Sequence, residues 1–196
     1  SVAGLLPSVR YIFMTDALLL YLRDDEMEAV IAHELGHVRR RHLLLRLLLL
    51  GLPLWIAANF QAFSPHVTEL VTTWRSGFTS SFGSADYLVT GCLTCALAVL
   101  ALGRYSRLLE HDADLCVCDA GQAETFITTI DRLSYLCNDR RQRATWLHPS
   151  TVSRVHLLQR VLHDPLVARA FRRRVQLVNG ALLVAWILTP LAATLC

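Results

Sequence analysis

The chain has 196 residues, of which 54% are hydrophobic and 18% charged, and its mean hydropathy is +0.40. Soluble domains carry about 25% charged residues, so the balance argues against a wholly soluble chain and for an integral membrane protein with one modest polar domain. The net charge of +3 is small, and all 19 basic residues are arginine, which we read as coding bias without functional content.

The chain opens on Ser1, as a fragment or processed form would. No basic n-region with an apolar core and cleavage site is legible there, so any upstream membrane helices would lie outside it. Arg10 to Thr15, "RYIFMT", has the β-branched and aromatic content of a short strand. Asp16 to Arg23 is leucine-rich and reads as a turn of helix. "DDEMEAVIAHELGHVRRRH" then reads as a helix start, with Asp25 and Glu28 spaced as a capping box and the acidic cluster suiting the positive end of the dipole.

On that helix His33-Glu34-Leu35-Gly36-His37 matches H-E-x-x-H. The i, i+4 spacing puts both imidazoles on one face, close enough to share one ion. Imidazole suits Zn²⁺, and Glu34 lies beside the pair, where it can take a proton from a water that the metal has acidified. Gly36 costs a helix roughly 1 kcal/mol relative to alanine, so the missing side chain has a use: space for substrate or for a neighbouring backbone. H-E-x-x-H also arises by chance on unrelated helices.

Three apolar stretches follow. Leu43 to Phe60 carries one charge, Arg46, placed at its edge to snorkel. Tyr87 to Leu102 is uncharged but short, about 24 Å as a helix against a hydrocarbon core of about 30 Å. Leu177 to Leu195 is uncharged and interrupted only by Pro190. Arg39, Arg40, Arg41, Arg104, Arg107, Arg169, Arg172, Arg173 and Arg174 flank these stretches on one common side, whereas Gln61 to Asp86 holds only Arg75. The positive-inside rule then puts the HELGH helix end and residues 104–176 in the cytoplasm. A membrane-flanking anchor accounts for "FRRRV", so nucleic acid is not expected as a partner; the lipid bilayer is. The division is a first catalytic part at 1–42, a transmembrane hairpin at 43–103 with a far-side loop at 61–86, a second catalytic part at 104–176, and a C-terminal transmembrane helix at 177–196.

"SRLLEHDADLCVCDAG" places Glu110 and Asp114 at i, i+4 on another helical stretch. A catalytic zinc takes three protein ligands and keeps a fourth position open. Glu110 can supply the third, with His111 as the competing ligand about 100° away on the helix. Asp114 can accept a hydrogen bond from the outer nitrogen of a ligand histidine. A solvated acidic helix face would look the same in isolation. The six cysteines, at 92, 95, 116, 118, 137 and 196, read as small buried hydrophobes.

"AHELGHVRRRH", an apolar hairpin, "LLEHDAD" and then "HPSTVSRVHLL", in this order over roughly residues 10 to 162, resemble the HtpX and CAAX-prenyl-protease family of integral-membrane zinc metallopeptidases. The resemblance implies a mainly helical, zincin-like (gluzincin) catalytic domain with a small β element, a transmembrane hairpin and a C-terminal transmembrane helix. It makes His33, His37 and Glu110 the ligands of one Zn²⁺, Glu34 the catalytic glutamate, and Asp114 a support for a ligand. It places His148 and Arg154 beside the substrate backbone or the oxyanion, although His148 also fits a plain helix-start residue. The implied substrate is a polypeptide, a membrane-associated or misfolded membrane protein. The apolar segment 177–195 departs from the better-known members. The rival readings are a membrane sensor built on a zincin domain, for which residues 61–86 are too few, and a catalytically silent scaffold, which would have no need of Glu34.

Overall fold

A computed structural model describes residues 2–3, 11–59, 83–136 and 143–195. The far-side loop, except its last residues, lies outside them, as do Arg10, Cys137 and Cys196. The protein is mainly helical. Strands β1 (Val2–Ala3) and β2 (Tyr11–Ile12) pair antiparallel, with Val2 opposite Ile12. Helices follow as α1 (Asp16–Tyr21), α2 (Asp24–Arg39), α3 (His42–Asn59), α4 (Gly83–Asp119), α5 (Ala123–Leu136), α6 (Thr151–His163) and α7 (Pro165–Leu195).

Residues 1–46 with 103–177 form one compact unit, and residues 47–102 with 178–196 form another. In the first, α2 packs on α5, and α5 packs on α6. Their core is Ala29, Val117, Phe126, Ile130 and Leu158, flanked by Val30, Ala32 and Val155. Arg132 ties α5 to the others, donating to Glu26 Oε1 at 2.9 Å and to the Tyr21 carbonyl. In the second unit, Trp55 of α3 and Trp186 of α7 stack with ring centroids 5.1 Å apart. Each indole N–H donates to a backbone carbonyl, Trp55 to Trp186 and Trp186 to Leu48. Gly51 makes room for the Trp186 ring, whose nearest atom would lie 3.2 Å from an added Cβ.

Several element ends differ from the sequence reading. α2 begins at Asp24, and the Arg23 N–H donates to Glu26 Oε2 at 2.9 Å, so Glu26 and not Glu28 closes the cap. Glu28 instead accepts from Gln122 Nε2: with acidic residues at 24, 25, 26 and 28, spacing alone could not choose among them. α4 carries the short apolar stretch and the Glu110 segment on one helix of 37 residues. Gly103 lies inside it, and the Trp146 indole is seated against that position, where an added Cβ would clash. α4 ends at Asp119, and Gly121, with a φ of +73°, closes a Schellman motif there with Gln122 N–H on Val117 O and Gly121 N–H on Cys118 O. α7 starts twelve residues before the apolar run, at Pro165, a favoured first helical residue, and Asp164 Oδ1 accepts from Leu166 N–H. Among the described residues, only Pro165–Leu191 is long and apolar enough to cross a membrane, and His42–Ile56 is a shorter apolar helix. Cys92 and Cys95 are exposed, not buried as expected, and Cys116 and Cys118 are half-buried free thiols. The first pair sits on an outward-facing apolar helix, where a thiol is tolerated for the same reason a leucine is.

Candidate metal centre

α2 and α4 carry the candidate ligands, and two small residues let them approach. A Cβ added at Gly36 would lie 3.1 Å from Ala113 Cα and O and from Cys116 Cβ. The space that glycine leaves is therefore filled by the backbone of α4, and Ala113 is itself fully buried. His33 and His37, three and one residues from Gly36, are thereby held opposite Glu110, three residues before Ala113.

One ligand atom from each of His33, His37 and Glu110 lies within 4.8 Å of the others. The His33 and His37 Nε2 atoms are 3.3 Å apart, His37 Nε2 is 3.4 Å from Glu110 Oε1, and His33 Nε2 is 3.7 Å from Glu110 Oε2. Bonds of about 2.0–2.1 Å to a tetrahedral zinc set neighbouring donors roughly 3.3–3.4 Å apart, so the two-nitrogen, one-oxygen set fits that ion. The electrostatics fit it too. Burial works against ionised Glu110, yet contacts from His148, His33 and His37 hold its carboxyl well below the usual range. Burial also works against charged His33, but Asp114 and Glu110 outweigh it and raise its pKa. A field that retains a proton on a buried imidazole favours a cation at the same place.

Behind the ligands, His33 Nδ1 lies 3.0 Å from Asp114 Oδ1, and Asp114 is fully buried. Arg154 clamps that carboxylate with two donors, Nε to Oδ2 at 3.0 Å and Nη2 to Oδ1 at 2.6 Å. Phe126 supports both partners, stacking on the His33 ring at 5.4 Å and lying 5.3 Å under the Arg154 guanidinium. His148 Nδ1 reaches to 3.2 Å from Glu110 Oε2 from a largely exposed position. Its loop is anchored by His148 N–H on Thr145 Oγ1, by Arg107 on the Thr145 carbonyl, and by Trp146 on Gly103. Ser150 caps α6, accepting from Ser153 N–H at 3.2 Å, so Arg154 sits in the helix's first turn. Glu34 is half-buried between the two histidines on α2, and its charge acts on Arg154.

The competing ligand His111 is turned elsewhere: Nε2 lies 3.3 Å from Ser153 Oγ and the ring edges onto Phe171. Burial pushes the Cys118 thiol up to about 11, so it offers no thiolate. Besides Phe126, the sequence assigned no place at the site to Arg46, Asp112 or His42. Arg46, read as a snorkelling edge charge, instead donates to Glu110 Oε1 at 2.9 Å; a lone charge in an apolar run is the signal that a buried partner exists. Asp112 and His42, both buried, pair at 3.2 Å, and His42 Nδ1 lies 2.8 Å from His37 Nδ1. A third histidine closing "HELGHVRRRH" was the only hint of that pair.

Neither a curated protein nor a solved structure matches the chain. A sequence profile described as peptidase family M48 matches residues 2–162, a span that takes in both ligand helices and α6. The chain belongs to peptidase family M48, the metallopeptidases that include HtpX and the CAAX prenyl proteases.

Proposed function

We propose that the protein is a membrane-bound, zinc-dependent endopeptidase of the gluzincin type that cleaves membrane-associated or misfolded membrane proteins. The observation that carries the reading is the convergence of His33, His37 and Glu110 within 4.8 Å. These three would hold one Zn²⁺, which when bound would supply Lewis acidity and make a water a stronger acid. Glu34 takes the proton and passes it to the leaving amine. His148, exposed and beside Glu110, faces the scissile carbonyl as it gains charge. Arg154 acts through Asp114, fixing the tautomer of His33, since its Nε and Nη2 both donate to that carboxylate. Intact Glu34 argues against a silent scaffold, and the length of segment 61–86 argues against a sensor.

The bilayer reading is supported by α7 and by apolar side chains turned outward in the second unit, such as Leu54 at 72% and Ile187 at 65% exposure. The arginine asymmetry orients the zinc site toward the cytoplasm, with residues 43–103 as a spanning hairpin.

Purified full-length protein should hold about one zinc per chain. Glu34→Gln should keep the zinc and lose nearly all peptidase activity on a misfolded membrane protein, and Glu110→Ala should bind zinc much more weakly. Full zinc retention by Glu110→Ala, with loss in His111→Ala, would sink the ligand assignment. Wild-type turnover by Glu34→Gln would sink the role of the base.

A further inference from the structure

The geometry points to His42 and Asp112 as the pair that orients His37 toward the metal, an inference that rests on the zinc reading above. His37 Nε2 faces His33 Nε2 at 3.3 Å and Glu110 Oε1 at 3.4 Å. A histidine ligates through an unprotonated nitrogen, so the His37 proton sits on Nδ1 and needs an acceptor. The atom facing it is His42 Nδ1, at 2.8 Å. To accept there, His42 must carry its own proton on Nε2, and that nitrogen faces Asp112 Oδ2 at 3.2 Å. One proton arrangement satisfies the whole chain: His37 Nδ1–H to His42 Nδ1, then His42 Nε2–H to Asp112 Oδ2.

The pair is built for this and little else. His42 and Asp112 are 1% exposed, and a carboxylate so buried is retained only when paired. Among the described residues, the side-chain hydrogen bond of Asp112 is the one to His42; Arg40 Nε stands off at 3.8 Å, and Oδ1 has no hydrogen-bond partner. The approach of His42 also depends on a special backbone. On an uninterrupted α-helix, positions 37 and 42 would lie about 140° apart. α2 ends instead at Arg39, Arg41 takes a φ of +56°, and α3 restarts at His42. A non-glycine residue in the left-handed region is uncommon, and its effect here is to turn the His42 ring edge-on to His37, with centroids 4.9 Å apart. His33 is held by Asp114 directly, and His37 is held by Asp112 through His42.

The test uses purified full-length protein in detergent, with zinc Kd measured by competition against a chromophoric chelator and the d–d spectrum of the Co²⁺-loaded protein as a second readout. His42→Ala should raise the zinc Kd by about 10- to 100-fold, the range for loss of a ligand's supporting partner, and should change the Co²⁺ spectrum. His42→Asn, which keeps an oxygen acceptor where Nδ1 sits, should recover much of that affinity. Asp112→Asn should fall between wild type and His42→Ala, and it decides the question if His42→Ala fails to fold. Wild-type Kd and Co²⁺ spectrum in His42→Ala, or in Asp112→Asn where the alanine variant does not fold, overturn the assignment while leaving the zinc reading intact. Absence of zinc binding by the unsubstituted chain overturns the zinc reading itself.

Discussion

Arg154 and Asp114 show how a charged residue in a small domain can be committed to positioning. Asp114 is fully buried; Arg154 meets both its oxygens with a two-donor fork, and His33 Nδ1 lies 3.0 Å from Oδ1. Removing the guanidinium leaves a buried carboxylate with weaker partners, a loss that typically costs about 3–5 kcal/mol. Arg154→Met is therefore expected to lower unfolding stability by about that amount in chemical denaturation and to weaken zinc binding through His33. Arg154→Lys keeps the charge but not the planar fork and should fall between. Equal stability of Arg154→Met and wild type would show that Asp114 is satisfied without Arg154. The sequence reading brought Arg154 to the site through its place after "HPS", but it could not say which partner would claim the guanidinium. Nor did any motif mark Phe126, a residue of α5 that lies under both His33 and Arg154.

At the scale of elements, the contact of α2 with α4 sets the distance between the two halves of the site. Gly36→Ala isolates that contact because two effects of opposite sign compete. Alanine is the better helix former by about 1 kcal/mol. Against it, the new methyl meets Ala113 Cα and O at 3.1 Å, a backbone that cannot step aside, and overpacking costs about 1–3 kcal/mol. We expect overpacking to prevail, so that Tm falls and the zinc Kd rises together as the histidines are pushed from Glu110. A raised Tm with unchanged zinc affinity would mean that the helices are not in close contact at Gly36. H-E-L-G-H and E-H-D-A-D thus carry their small residues for one shared reason, although their spacing in sequence shows each motif only by itself.

For the whole molecule, topology is the open expectation, and it can be read with reporters. A reporter fused after Cys196 and another inserted within residues 64–84 should both read on the far side of the membrane, and one fused after Arg174 should read cytoplasmic. A cytoplasmic signal from the inserted reporter would mean that residues 43–103 do not span as a hairpin. Arg172, expected as a membrane-flanking anchor, also bonds Asp119 at 2.6 Å and the Leu115 carbonyl. The flanking arginines are therefore not interchangeable surface charges, and substitution of this one should be kept out of any charge-reversal series.

Apart from α5, the sequence by itself determined local features: the helix that carries His33 and His37 on one face, the helical stretch around Glu110 and Asp114, and which segments are apolar. Those follow from periodicity and spacing, which act over a few residues. Partners far apart in the chain were decided only by tertiary structure. Glu110 was legible as a candidate because its helix repeats a recognisable pattern, but Arg46 beside it, Phe126 beneath His33 and Asp112 behind His42 were not. Each of these depends on how one helix ends and another packs: the left-handed Arg41 brings His42 round, Gly36 admits Ala113, and Trp146 seats on Gly103. A side chain's burial and its partner are properties of packing, and hydrophobic pattern constrains packing without choosing the pairs.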